Sequence, residues 1–442
     1  MFKSTKASYA GFRDIFGYEA RLREFIVAKI SEVFQLWGYD KIELSVIESM
    51  NSFSKIVVGG SPWPEWNYKC SFQIDVYDYV QSYDSEPVSN QALLVPEGTI
   101  SVSRWLANQI DVGQNLQAVF PLKVYYVVNC FRNEPIANLS ATKARSFTQV
   151  GMEVIGASNR YADLETIVMV ASGLEVIGAS KSQIKARLGD IRIFNHLCKK
   201  CNIPYQKTIV LKEAFDAIAE SRAGNDTKRL DSELIRANEI LSAYVMDSNT
   251  RSQWDFCLVG PRQSISDEEA VFLGCTEAVS DLNFIANELS ELGVPGVIDL
   301  TVVRSHEYYT GVVFEIDVTI GDQIIVEIAG GGRYNKLISR LSKKSIKVPA
   351  VGFAFGLERI CRLAENLQNP TNSEIHFWLN GSSTDIVLYG HGPAHHLINS
   401  AQQLRKDHKR VDIYAGDKLT SQEVASYAEK KGAQFICIGE QQ

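Results

Sequence analysis

Residues 131–156, FRNEPIANLSATKARSFTQVGMEVIG, constrain this chain more than any other stretch. An apolar run at 123–128 leads into Phe131, Arg132, Asn133 and Glu134, a small polar loop follows at 135–143, and 145–153 returns. The pattern predicts a hairpin with a long tip. On its returning arm the two-residue repeat places Phe147, Gln149, Gly151 and Glu153 on one face. A planar cation at Arg132, a carboxylate at Glu134 and an aromatic at Phe147 suit a purine nucleotide, because a guanidinium fork matches phosphate oxygens. Taken alone, the same residues also fit an ordinary antiparallel hairpin with scattered polar positions.

Composition narrows the classes. With 442 residues, 45% of them hydrophobic, the chain is long enough for two or three domains with real cores. A net charge of -7 does not mark a general nucleic-acid binder, although a local basic groove remains compatible with it. Eight cysteines without framework spacing predict free thiols in a reducing interior. The absence of a long apolar segment predicts a cytoplasmic protein with no membrane association. His196, Cys198 and Cys201 lack a second ligand pair for zinc and read as a helix end with free thiols, so no resident metal is expected there.

The hairpin resembles motif 2 of the class II aminoacyl-tRNA synthetases, and its second arm, Arg145-x-Phe147-x-Gln149-x-Gly151-x-Glu153, is similar to the histidyl-tRNA synthetase version. Other segments follow in the family's order. Residues 18–37 carry Leu22, Phe25, Ile26, Ile30, Val33, Phe34 and Trp37 at helical spacing and end at Gly38, a predicted C-cap. With the strand-like run 39–47 they resemble motif 1, which implies a homodimer, although Ser45 stands where the family has proline. Pro96-Glu97-Gly98-Thr99 is similar to the amino-acid loop, with Val95 in place of the usual arginine. Residues 304–311 resemble Arg-Gly-Leu-Asp-Tyr-Tyr-Thr-Gly, keeping Arg304, Tyr308 and Tyr309 but departing at Ser305, His306 and Glu307. A Gly-rich turn at 330–332 precedes Arg333 and Tyr334, and residues 350–359 look like motif 3, a strand entering a helix with Arg359 in its first turns.

The resemblance implies an α+β fold: a class II synthetase core built on an antiparallel sheet, with a helical insertion and a C-terminal α/β domain like the family's anticodon-binding domain. The expected divisions are 1–177 and 297–372 for the core, 178–296 for the insertion with helices near 214–220, 233–244 and 268–289, and 373–442 for the last domain. That domain, read as a βαβαβ alternation with a parallel sheet, is expected to be short, since in the family it continues with a further strand and helix. By the same resemblance, Glu97, Gly98, Thr99, Gln149, Glu153, Tyr308, Tyr309 and Tyr334 would hold the amino acid. Arg132, Glu134, Phe147, Arg304 and Arg359 would hold ATP with Mg²⁺, the three arginines serving catalysis. The implied activity is ligation of histidine to tRNA through an adenylate. Two alternatives stay open: adenylation for an acceptor other than tRNA, and a histidine-sensing regulatory subunit of ATP phosphoribosyltransferase. The first is kept open by a motif 2 tip at 135–140 that is nearly uncharged.

Overall fold

The computed structural model describes residues 9–54, 57, 70–78, 88–115, 119–139, 144–304, 306–344, 346–367, 384–390, 394–415 and 420–438. Ser305 and the loop tip at 140–143 lie outside them. The chain divides into two compact units, Met1–Gln368 and Asn369–Gln442.

The first unit is built on an 8-stranded sheet. Its strands come from β1 (Asp40–Lys41), β5 (Leu122–Phe131), β6 (Ser146–Ile155), β7 (Ile184–Asp190), β8 (Gly296–Ile298), β9 (Val312–Ile320), β10 (Gln323–Arg333) and β11 (Ala350–Gly356), while β2 (Ile47–Ser49), β3 (Gln73–Asp78) and β4 (Val88–Leu94) make a small sheet of their own. The order across the large sheet is β1-β5-β6-β11-β10-β9-β7-β8. Its middle pairs are antiparallel, but β1 on β5 and β7 on β8 are parallel, so the expected antiparallel core is in fact mixed.

Helix α1 (Tyr18–Leu36) buries the predicted stripe of Leu22, Phe25, Ile26, Ile30, Val33 and Phe34. Phe34 packs its ring 5.3 Å from Tyr125 on β5 and 6.0 Å from Phe353 on β11, seating the helix on the sheet. Gly38, at φ +81, turns the chain out of the helix, and its N–H bonds the carbonyl of Gln35. The strand expected over 39–47 is two short pieces, β1 and β2. Ser45 interrupts it: its hydroxyl both donates to the Ile47 carbonyl at 2.9 Å and accepts from the Ile47 N–H at 3.2 Å, a local turn that competes with ladder pairing.

Helices α2 (Gly98–Asp111) and α3 (Arg160–Glu175) follow, with the long β5–β6 hairpin between them. Its register is unbroken from Leu122 opposite Ile155 to Phe131 opposite Ser146, and the Arg132 N–H continues it by bonding the Arg145 carbonyl at 2.9 Å. That regular ladder carries Arg132, Phe147 and Gln149 to one end of the sheet.

The region 178–296 is not wholly helical. Residues 184–190, read as part of the insertion, form β7 of the central sheet. Arg187 conceals the strand in the sequence, since a charged residue there argues against burial on both faces. In the structure its guanidinium is buried and paired at 2.7 Å with Glu315 and 2.6 Å with Asp317, both on β9. The helices are α4 (Ile191–Lys200), α5 (Tyr205–Ala223), α6 (Thr227–Tyr244), α7 (Ser248–Leu258), α8 (Asp267–Leu273) and α9 (Thr276–Glu291). Residues 268–289, expected as one helix, belong to two, because Gly274 at φ +69 caps α8 in the left-handed conformation. Phe194, Phe215 and Trp254 form a triangle of edge-to-face rings, 5.2 to 5.7 Å apart, joining α4, α5 and α7. Burial of each is worth about 2 kcal/mol or more. The Trp254 indole N–H donates to Cys201 Sγ at 3.5 Å, so this thiol ends α4 as a packing partner. Helices α10 (Leu337–Leu341) and α11 (Leu357–Asn366) complete the unit.

The second unit alternates β12 (Ile386–Gly390), α12 (Ala394–Lys406), β13 (Val411–Ile413), α13 (Ser421–Lys430) and β14 (Gln434–Ile438). Its sheet is parallel, in the order β13-β12-β14, as the alternation predicts. No helix among the described residues is long and apolar enough to cross a membrane.

Candidate active site

The first unit holds a cavity of about 600 Å³. The hairpin arms, β9 to β11, the starts of α2 and α11 and one face of α5 surround it. Of the residues singled out from sequence, Glu97, Thr99, Arg132, Glu134, Phe147, Gln149, Arg304, Tyr308, Tyr309, Tyr334 and Arg359 line it; Gly98 and Glu153 do not.

Part of the cavity wall is made of carboxylates and phenols. Glu97 is the N-cap of α2: its Oε1 accepts from the Ile100 N–H at 2.7 Å and its Oε2 from the Thr99 N–H at 3.3 Å. The Tyr308 hydroxyl donates to the same Oε2 at 3.3 Å, and burial raises the Glu97 pKa. Capping and lining therefore fall to a single side chain. Gly98 serves packing instead, because a Cβ there would lie 2.2 Å from the Tyr126 ring. Its N–H donates to Gln149 Oε1 at 2.8 Å, fixing that amide on the cavity wall.

Glu153 is fully buried behind the wall. The Tyr334 hydroxyl donates to its Oε2 at 2.5 Å and the Tyr126 hydroxyl to its Oε1 at 3.3 Å. A Cβ on Gly352 would stand 1.7 Å from Oε2, so only glycine fits on β11 at this point. Burial pushes the carboxyl up to about 8 despite the hydroxyls that favour its charge. Tyr334 carries this group to the cavity at second hand.

Three arginines also line the cavity. Arg132 donates from Nε to the Pro96 carbonyl at 3.1 Å, and its guanidinium lies 5.0 Å from the centre of the Phe147 ring. Arg304 Nη1 bonds Glu315 at 3.2 Å and Glu327 at 3.3 Å. Arg359, in the first turn of α11, bonds Glu327 Oε2 at 3.2 Å through Nη1, which also donates to the Glu327 carbonyl. Burial alone would raise the Glu327 carboxyl, but Arg359 and Arg304 outweigh it and hold it well below the usual carboxylate range.

The glycines at 330–332 are not a turn. They lie within β10, and none has a positive φ. Gly330 leaves room for Arg304, whose Nη1 would be 2.0 Å from a Cβ there.

Several lining residues escape a sequence reading. His306 lies with its ring centre 5.2 Å from that of Tyr308 and 5.5 Å from that of Tyr309. Burial, with Arg304, Arg132 and Lys212 adding, holds its pKa well below the ordinary value, so the imidazole is neutral. Next to it, Glu307 pairs at 3.1 Å with buried Lys212 of α5, tying that helix to the 304–311 segment. Glu213, Asp216 and Glu220 of α5 also line the cavity. Their spacing marks one helix face, but nothing in the sequence says which neighbour that face meets. Glu327 gives no signal at all, since it reads as one more strand residue.

Comparisons with known proteins bear on the family and the fold. The chain is similar to a histidine–tRNA ligase of Methanocaldococcus jannaschii, 28% identical over 448 aligned positions that cover 98% of this chain and 91% of that protein. It is also similar to an ATP phosphoribosyltransferase regulatory subunit of Desulforamulus reducens, 27% identical, with 83% of this chain and 80% of that protein covered. Among solved structures, an ATP phosphoribosyltransferase regulatory subunit/histidyl-tRNA synthetase from Bacillus halodurans superposes with TM-score 0.72 at 21% identity, covering 99% of this chain and 100% of that one. The apo histidyl-tRNA synthetase of S. aureus follows with TM-score 0.62 at 20% identity, covering 99% and 92%. These likenesses establish a fold of the class II histidyl-tRNA synthetase kind, a large mixed sheet with helices. The sequence pattern of the Histidyl-tRNA synthetase family matches residues 75–360, and the chain belongs to that family.

Proposed function

We propose that this cavity activates histidine with ATP and that the aminoacyl group then passes to tRNA. The observation that carries the reading is the convergence of Arg132, Arg304 and Arg359 on the same cavity that Glu97, Tyr308 and Tyr334 line. In this scheme Glu97 and Thr99 take the ammonium group, while Gln149, Tyr308, Tyr309 and Tyr334, backed by Glu153, take the imidazole. Phe147 and Arg132 hold the nucleotide, Glu134 helps to seat it, and Arg304 and Arg359 face its phosphates. Oxygen donors of the cavity lining, Glu134 and Asp216 among them, suit Mg²⁺, which would accompany the phosphates and shield their charge.

The histidine carboxylate attacks the α-phosphorus, the bond to the β-phosphate oxygen breaks, and pyrophosphate leaves. No side-chain nucleophile is required, because alignment and fixed positive charge lower the barrier. The tRNA hydroxyl would then attack the adenylate carbonyl and release AMP. Exposed Leu36, Trp37, Val46 and Ile47, at the end of α1 and beside β1 and β2, support a homodimer through that region.

A second reading, a histidine-binding regulatory subunit, is favoured by the likeness to proteins of that name and by the engagement of Arg304 and Arg359 with Glu327. Arg304→Ala separates the two. For an adenylating enzyme it should lower histidine-dependent pyrophosphate exchange by about 100-fold or more while histidine still binds. Exchange that is absent from the wild type, with histidine binding intact in both proteins, would favour the regulator.

A further inference from the structure

We propose that Glu327 is a positioning residue of this site, setting Arg304 and Arg359 as a matched pair of phosphate donors and competing with an incoming phosphate for them. The inference rests on the reading that these two arginines face nucleotide phosphates.

The geometry is specific. One carboxylate oxygen of Glu327 takes Arg304 Nη1 at 3.3 Å and the other takes Arg359 Nη1 at 3.2 Å, while the Glu327 main-chain carbonyl accepts from Arg359 as well. The backbone is shaped to deliver this group. Register between β9 and β10 breaks between Ile325 and Ala329, and within that break Glu327 adopts φ +54. Arg304 adopts φ +48, so both partners of the ion pair sit in the left-handed region that side chains other than glycine seldom occupy. Such bulges and strained residues gather where a strand must re-aim a functional side chain. The bulge is also held from behind: the Glu327 N–H donates to Asp317 Oδ1 at 2.8 Å, and Asp317 is anchored by buried Arg187 at 2.6 Å.

The chemical consequence follows from shared donors. Carboxylate and phosphate oxygens accept from a guanidinium in the same way. A phosphate that engages Arg304 and Arg359 meets guanidinium groups whose Nη1 atoms already serve Glu327, and it comes close to the negative charge of that carboxylate. Like charges a few ångströms apart repel, although the Glu327 side chain stays 32% exposed and water weakens the effect. Glu327 therefore fixes the arginine pair and limits how tightly that pair retains pyrophosphate.

The test uses the full chain, with pyrophosphate as the probe, titrated calorimetrically with and without Mg²⁺. Glu327→Gln keeps the shape and removes the charge, and is expected to bind pyrophosphate about tenfold tighter than the wild type. Glu327→Asp keeps the charge and should stay near the wild type. In amino-acid-dependent exchange, Glu327→Gln should lower KM for ATP and kcat together, as pyrophosphate leaves more slowly. Unchanged or weaker pyrophosphate binding by Glu327→Gln overturns the proposal, including weakening confined to Mg²⁺, which would make Glu327 a metal ligand. A failure of both proteins to bind pyrophosphate overturns it too. If Glu327→Gln does not fold, Glu327→Asn, which tolerates the left-handed backbone and keeps an acceptor oxygen without the charge, carries the same expectation. A wild type without exchange would sink the adenylation reading, while the pyrophosphate comparison would still decide the role of Glu327.

Discussion

Buried against two tyrosine hydroxyls, Glu153 keeps its proton to about pH 8, above the 4.5 of a free glutamate side chain. The folded state therefore binds a proton that the unfolded chain releases earlier. This contribution to stability is complete below about pH 4.5 and is lost as pH rises through about 8. Glu153→Gln, which cannot ionise, should flatten that dependence. Between about pH 5 and about pH 8.5 the wild type should lose on the order of 4 kcal/mol more than the variant in denaturant unfolding; parallel losses would show that Glu153 titrates normally. The same substitution should weaken histidine binding by about tenfold or more while ATP binding changes little, because on the proposed reading it disturbs the polar network behind the amino-acid pocket. Equal effects on both ligands would remove Glu153 from the amino-acid pocket.

At the scale of elements, the site depends on where strands β10 and β11 lack side chains. Gly330→Ala would thrust a methyl group to about 2.0 Å from Arg304 Nη1, so the guanidinium must leave its seat. KM for ATP should rise about tenfold or more, as expected when one charge-assisted contact is lost, with histidine affinity nearly unchanged. An unaltered KM would mean that Arg304 can serve from another position. The sequence announced much of this framework. Strict alternation in 145–153 and the turn from strand to helix at 350–359 follow from local rules, and both appear as read. Other features depend on distant partners. Residues 184–190 became a strand because β9 supplies the carboxylates for Arg187, the run at 330–332 stayed in a strand because its glycines receive neighbouring atoms, and Glu327 faces the arginines through a bulge that no local pattern encodes.

For the whole molecule, charge bears on the choice of acceptor. The chain carries -7 overall, and α5 turns Glu213, Asp216 and Glu220 toward the cavity. Binding to nucleic acid loses affinity with salt roughly in proportion to the phosphates neutralised. Binding of tRNA should therefore show a shallow salt dependence, a log–log slope on the order of -2 to -4, measured by filter binding across a salt series. A steep slope would reveal a basic surface outside this cavity. The most direct test of the proposed adenylation is amino-acid-dependent exchange of pyrophosphate with ATP across the full set of amino acids, followed by charging of total tRNA. Exchange with histidine alone, with charging of tRNA, is the predicted result. Histidine binding without exchange for any amino acid would contradict it and leave a sensor built on a synthetase fold.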